Sequence, residues 1–565
     1  MDNPTVPDPG KRALLKSSAL IAGASLLAPA RLQSKTIRPP TTQPFLEALP
    51  VRKAKLPLPY LSPTPTATPG LREAGRAAHQ GWAHWPPQRF YELRANEFLH
   101  SFHPHLPSQK IWGFDGMSPG PTFVMRHGQP ALVRIFNELP PDSVGFGSPE
   151  ISTHMHNAHT PSESDGFPAD YFSPYKHGPG LTRAGEYKDH HYVNCHSNYA
   201  EFDPSDGDPN EGLGTLWYHD HRLDFTAANV YKGLAGFSLM FDEIDSGNEN
   251  DANPNALRLP SGVGEYDIPM LFEHKHFNAS GYLTFNQLDP EGDEFGNKYL
   301  VNGKVQPFFE VERRKYRFRM LNASILRFFE FYLVKAGQDL TFDYIANDGN
   351  LLPAPLKMNK VAIAPAERAD IVVDFSQFAI GDELFIVDRI NQDDGRGPSS
   401  IRNIPGTQVL RFNVVRNTPH GRPDSSRVPE TLRTLTQPDL KKVRRKRNFK
   451  FEREDGVWVI NDKLFDENMA AVTLKLGEAE IWTLEGKGSW HHPIHIHLEE
   501  GRILTRNGKP PPPHERGRKD VFVLNPGEKV EVYLRFTDFP GKYVMHCHNL
   551  IHEDHHMMLR FDVVA

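Results

Sequence analysis

Apolar residues along the chain come in short runs separated by Pro, Gly, Asn and Asp, and many runs alternate with polar residues at period two, as in Leu132-Val-Arg-Ile-Phe136 and Val530-Glu-Val-Tyr-Leu-Arg-Phe536. Successive side chains of a strand point to opposite faces, so this period puts one face in a core and the other in solvent. Strands therefore outnumber helices, and the pattern predicts β-sandwich or barrel domains rather than βαβ units. The chain has 565 residues, and at roughly 150 per domain that length allows three or four domains. The strand-like runs divide into regions of about 90–250, 251–425 and 426–565, with the polar stretch Arg416–Arg427 leading into the third. Ahead of them, residues 31–89 hold a Pro/Thr-rich segment from Pro39 to Pro69 with no periodicity, which reads as an extended arm without chemistry of its own.

The N-terminus breaks this pattern. Lys11-Arg12 and Lys16 precede the small apolar stretch Ser17–Leu27 and the Ala-x-Ala string Ala28-Pro29-Ala30, the arrangement of a signal peptide over residues 1–30. Lys11-Arg12-Ala-Leu-Leu-Lys16 resembles a twin-arginine signal with its first arginine replaced by lysine. No segment reaches the ~20 apolar residues of a membrane-spanning helix, so the expectation is export to the periplasm or the medium without a membrane span. A net charge of -6 argues against a nucleic-acid partner, and the one basic run, Lys441–Arg447, reads as a solvated face. Two cysteines, Cys195 and Cys547, cannot build a disulfide framework.

Histidine carries the chemistry. Thr153-His154-Met155-His156, Trp217-Tyr218-His219-Asp220-His221, His492-Pro493-Ile494-His495-Ile496-His497 and His546-Cys547-His548 each contain His-x-His. In a strand, each such pair presents both imidazoles to one site. If His546 and His548 face one centre, Cys547 faces another, for which the sequence offers His492, His552 and Met557. Two imidazoles, a thiolate and a weak thioether describe a blue-copper centre, whereas a structural zinc site prefers four strong ligands and leaves the other histidines without a use. His154, His156, His219, His221, His495, His497, His546 and His548 then suffice for three further copper ions, about four per chain in all. Because Cys547 is joined through the backbone to His546 and His548, an electron has a short path between the two centres. His159, His177, His190, His191, His196, His491, His514, His555 and His556 match no such motif and read as surface or supporting residues; Cys195, in the polar insertion 161–214, reads as a free thiol.

These motifs, with Trp112-Gly-Phe-Asp-Gly-Met-Ser-Pro-Gly-Pro-Thr122, Val301-Asn-Gly303 and Ala364-Pro-Ala-Glu-Arg368, resemble the signatures of the three-domain multicopper oxidases. The resemblance runs from about Phe45 to the end of the chain and is nearest to the branch of spore-coat laccases, bilirubin oxidases and phenoxazinone synthases. It implies an all-β fold of three cupredoxin-like Greek-key β-barrel domains, with the blue copper in the third and a trinuclear cluster between the first and third. Carried over by motif, His492, Cys547, His552 and Met557 hold the blue (type 1) copper, and His154 with His495 the lone type 2 copper. His156, His219 and His548 hold one member of the type 3 pair, and His221, His497 and His546 the other. The implied activity is laccase-like: one-electron oxidation of phenolic or aromatic-amine donors near His492, coupled to reduction of oxygen to water, in a monomer whose partners are a small reducing molecule and oxygen. A cuprous, ferrous or manganous donor is the alternative, although only Met557-Met558 stand adjacent among the 12 Met and no methionine-rich insertion is present. Oxygen reduction consumes protons, and the resemblance assigns their delivery to Glu553 and Asp165.

Overall fold

The computed structural model describes residues 38–142, 145–195, 197, 210–286 and 296–565. The signal-like segment 1–30 lies outside the described residues, as do His196 and residues 198–209 of the polar insertion. From Pro40 to Ala565 the chain packs as one unit.

Among the described residues, six sheets in three pairs make up the fold. In the first pair, Gln109–Phe114, Arg89–His100, Ala131–Asn137 and Tyr187–Tyr192 form one sheet in that order, and Gly120–Arg126, Ala235–Phe241, Gly214–Asp220 and Thr153–His156 the other. A seven-stranded and a six-stranded sheet, drawn from Asp267 to Arg416, make the second pair; two five-stranded sheets, from Val443 to Val564, make the third. Arg89–His100 runs parallel to Ala131–Asn137, Lys315–Asn322 to Asp267–Lys275, and Val443–Glu454 to Ala479–Gly486. Parallel neighbours cannot be joined by tight hairpins, so the chain crosses between sheets and encloses a core in each pair. Trp112, Phe114 and Tyr218 fill the first core, Phe318, Phe331 and Phe412 the second, and Trp482, Phe536 and Phe561 the third.

The period-two reading holds where a strand has one wet face. In Lys529–Arg535, Val530, Val532 and Leu534 are buried and Glu531, Tyr533 and Arg535 are partly exposed. It fails for Ala131–Asn137, which is buried nearly throughout. There Arg134, on the outward face, is paired with Asp189 at 2.8 Å and donates to the Pro63 carbonyl at 2.8 Å. The arm covers this face. It is extended, as its composition predicts, but it is bonded along its length: Leu49 N donates to Phe308 O at 2.6 Å, Lys55 N to Thr122 O at 2.8 Å, and Ala74 N to Tyr187 O at 2.8 Å. Leu49 joins the second core. The arm thus satisfies strand edges that would otherwise present open donors and acceptors.

Register aligns the histidine strands. Thr153–His156 pairs antiparallel with Gly214–Asp220, setting His154 opposite His219, and His492–Ile496 pairs with Gly541–Cys547, setting His495 opposite His546 and Ile494 opposite Cys547.

Candidate metal centres

The eight His-x-His imidazoles meet in one buried region, and nearly all of them are held by the nitrogen that faces away from it. His154 Nδ1 lies 2.5 Å from the Asp165 carbonyl, His219 Nδ1 2.7 Å from the Asp220 carbonyl, and His495 Nδ1 2.9 Å from the Asp520 carbonyl. His497 Nδ1 meets Asp165 Oδ2 at 2.7 Å, and His156 Nδ1 lies 2.7 Å from Asp520 Oδ2. Glu553 spans two rings, with Oε2 at 2.8 Å from His546 Nδ1 and Oε1 at 3.2 Å from His221 Nδ1. Carbonyl and carboxylate oxygens only accept, so the hydrogen bonds of His154, His219, His495 and His497 fix the hydrogen on Nδ1 and leave Nε2 with a bare lone pair, while the carboxylates of Asp520 and Glu553 lie close beside Nδ1 of His156, His546 and His221.

Those lone pairs point at one another. Nε2 of His154 is 3.3 Å from Nε2 of His495, and Nε2 of His221 is 3.3 Å from His497 and 3.2 Å from His546. The Nε2 atoms of His156, His219 and His548 are buried without a partner. Protonation offers no relief: burial first, and then neighbouring imidazoles, hold His156, His219, His495, His497 and His548 well below the usual imidazole range. Neutral rings with converging lone pairs repel unless a cation sits among them. The ligand atoms gather into His154/His495/His497, His156/His219/His548 and His221/His497/His546, each set within 4.8 Å of one another. An all-imidazole set of this kind suits copper.

Cys547 points the other way, into the apolar core of the third sheet pair, which also holds Met557. Its Sγ is 3.6 Å from His492 Nδ1 and 3.5 Å from His552 Nδ1. Burial pushes the thiol well above its ordinary range, so a thiolate at this position requires a metal cation. Met557 is buried, and its carbonyl accepts from Cys547 N at 3.0 Å. The short helix Leu550–Asp554 starts where the Asn549 side chain accepts from Ile551 N and His552 N. Successive helical residues diverge by about 100°, so His552 turns to the thiol and Glu553 to the imidazoles.

All the residues expected from the sequence are buried at one or other centre. Asp165 lies in the helix Ser162–Asp165, fully enclosed. His159, His190 and His191, read as supporting or surface groups, are buried and bonded outside the metal groups, to Asp538, the Ser164 carbonyl and the Trp85 carbonyl. Cys195 is buried and unpaired.

Sequence reasoning missed Asp520. Its carboxylate touches His156, its carbonyl accepts from His495, and Arg368 grips the same carboxylate at 2.8 and 3.2 Å. His156, His495 and Asp520 themselves form a metal-capable group. The signal was available only through register: Asp520 directly precedes Val521, the partner of His495 across the sheet. Arg368, from the second sheet pair, belongs to a string noticed only as a family resemblance.

A family profile described as multicopper oxidase matches residues 430–565. The chain is 35% identical over 488 residues to bilirubin oxidase of Albifimbria verrucaria, spanning 84% of this chain and 77% of that protein. It is 32% identical over 528 residues to laccase of Bacillus subtilis, spanning 84% and 94%. Among solved structures, laccase from Pediococcus acidilactici superposes with a TM-score of 0.71 at 22% identity, covering 94% of this chain and 96% of that one, which shows the same cupredoxin-like all-β architecture.

Replacing Asp520 with Asn keeps its volume but removes the carboxylate that lies 2.7 Å from His156 Nδ1. The expected result is copper affinity about 10- to 100-fold lower at the histidine-lined centre, with the blue thiolate band retained. Copper content after dialysis against a graded chelator measures this; wild-type retention would show that Asp520 does not position His156.

Proposed function

The chain belongs to the multicopper oxidase family, and on that premise we propose that it takes single electrons from phenolic or aromatic-amine donors at Cys547 and uses them to reduce oxygen to water at the histidine-lined centre. The observation that carries this reading is the continuous strand Gly541–Cys547 and its extension to His548: the thiol faces one centre while the flanking imidazoles of His546 and His548 face the other. An electron arriving at the sulfur therefore has a covalent path to each flanking imidazole through a single peptide unit.

In this reading His492, Cys547, His552 and Met557 hold the mononuclear copper. His154 with His495 holds the lone copper of the cluster, and His156, His219 and His548, with His221, His497 and His546, hold the pair. Copper bound there supplies one-electron redox chemistry at the thiolate and oxygen binding and reduction at the cluster. The chain does the rest. Asp165, Asp220 and Asp520 keep His154, His497, His219 and His495 in the tautomer that offers Nε2, and the Asp520 and Glu553 carboxylates lie against Nδ1 of His156, His546 and His221. The apolar wall around Cys547 excludes water from the sulfur and favours a high potential. Met557, buried in the same core, would supply a weak thioether ligand.

Reducing oxygen needs a proton for each electron, and the enclosing neutral rings provide none. Asp165 touches the imidazole of His497 and Glu553 those of His546 and His221, and Asp165 Oδ1 is buried with no hydrogen-bond partner. We assign proton delivery to both. Export, for which the charged and apolar pattern of residues 11–30 is the support, would place the enzyme among extracellular phenols; among the described residues no helix is long and apolar enough to cross a membrane.

Oxygen uptake by copper-loaded protein with a simple phenol tests the activity: the wild type consumes oxygen, and Cys547→Ser loses both the blue colour and the uptake while keeping cluster copper. A Cys547→Ser protein that remains blue contradicts the assignment of the thiolate. For the acids, Glu553→Gln and Asp165→Asn are expected to keep copper and colour yet slow reoxidation of the reduced enzyme by oxygen, by about 10²-fold or more. Wild-type reoxidation rates in both variants, followed by rapid mixing, would mean that protons enter elsewhere.

A further inference from the structure

We propose that a cleft between the arm and the first sheet pair binds a small aromatic carboxylate, at a site that shares no residue with either metal centre. The strands Gly120–Arg126 and Ala235–Phe241 lie side by side, with Val124 opposite Leu239 and Arg126 opposite Phe241. Where they turn away from the first core, the second sheet pair covers them: Leu239 and Phe241 are buried in one cluster with Leu271 and Leu321. At the Arg126 end this cover stops. Val124 and Val263 pack on the same cluster but are only partly buried, and both line a cleft of about 500 Å³. Lys55 N donates to Thr122 O at 2.8 Å, which brings arm residues Ala54, Lys55, Leu56 and Pro57 into the opposite wall. Leu56, a large apolar side chain in that wall, is 80% exposed.

The lining carries charge of one sign. Lys55, Arg89 and Arg126 border the cleft, and among the described residues no carboxylate does. Asp115 neutralises Lys55 at 2.5 Å. The two guanidinium groups meet only neutral acceptors: Arg126 donates to the Asp242 and Ser246 carbonyls, both at 3.0 Å, and Arg89 to Gln129 Oε1 at 3.4 Å. A guanidinium carries five N–H donors in a planar fork, so both side chains keep donors to spare in the geometry that fits a carboxylate. In a chain whose net charge is -6, two cations facing one cleft without a counter-charge favour an anionic occupant.

The walls decide what carries the carboxylate. The volume falls within the roughly 300–1,000 Å³ of small-molecule sites and admits two linked rings. Tyr91 and Phe241 bring rings to the lining, and Val124, Met125 and Val263 add apolar contact without a further charge. A flat ring system buries as much apolar surface as an alkyl chain and loses fewer rotors on binding, so these walls favour the aromatic acid. Its rings lie against Val124 and Val263, its carboxylate meets Arg89 and Arg126, and Leu56 closes over it. The occupant thereby clamps the arm to the sheets it covers.

The test is equilibrium dialysis of copper-loaded, full-length protein with biphenyl-4-carboxylate, a probe without a phenol hydroxyl, and with the cation 4-phenylbenzylamine as its charge-reversed counterpart. The wild type is expected to bind one carboxylate probe with a dissociation constant on the order of 0.1 mM, to bind the cation far more weakly, and to melt at a higher temperature when the carboxylate is present. Arg89→Glu, at an exposed position that the fold does not depend on, should weaken the carboxylate about ten-fold or more and strengthen the cation. Arg89→Lys should retain most of the wild-type affinity, and Val124→Trp, which fills the cleft, should exclude both probes. Oxidation of 2,6-dimethoxyphenol should be unaffected by the carboxylate probe. The absence of saturable binding to the wild type would overturn the proposal, as would wild-type affinity in Arg89→Glu, which decides the matter even if Val124→Trp fails to fold. Binding that competes with 2,6-dimethoxyphenol would also overturn it, because the probe would then occupy the donor site.

Discussion

Everything in this molecule depends on lone pairs that cannot avoid one another. Acceptor oxygens take the Nδ1 hydrogens of His154, His219, His495 and His497, and Nε2 atoms of the cluster histidines converge at separations near 3.3 Å in a buried region. In isolation that arrangement costs free energy several times over, because buried acceptors without donors lose their hydration and gain nothing. A cation reverses the sign of the interaction. The fold must therefore be stable enough elsewhere to hold the rings in place before the metal arrives, and three aromatic-rich cores do this.

This need explains the second sheet pair, which places no histidine at either centre. Arg368 reaches from its strand Arg368–Asp374 into the interface to hold Asp520, and Lys519, beside Asp520, is held by Asp348 at 2.8 Å and Glu367 at 2.9 Å. Buried ion pairs are poor sources of net stability, since each charge loses its hydration. Here they act on geometry: they fix where the Asp520 carboxylate lies, and so where His156 points. The arm works in the same sense on the other side. Gln80 holds both oxygens of Glu163, at 2.8 and 2.9 Å, in the short helix that carries Asp165 to His497.

Much of this was legible in the sequence, for a definite reason. A strand's period is two residues, so four His-x-His strings already state that four strands each offer two imidazoles to one face, and Cys547 between His546 and His548 states that a second centre lies behind the first. The helix residues His552 and Glu553 were legible through spacing and resemblance. What the sequence hid is what depends on register and long-range packing. Asp520 follows no motif; its place is set by strand pairing with His495 and by Arg368, 152 residues away in the chain. Arg134 looked like a solvent-facing residue because nothing local says that Pro63 lies over it. The polar insertion gave no pattern at all.

The most direct test of the central claim, that the fixed Nδ1 tautomers build metal sites which the fold cannot leave empty without cost, is a metal count combined with electron paramagnetic resonance on fully loaded, oxidised protein. The account predicts about four copper ions per chain, with roughly half of the copper silent because the two ions held by His156/His219/His548 and His221/His497/His546 are coupled to each other. A chain that saturates with a single copper at Cys547, its cluster imidazoles unmetallated, would contradict it.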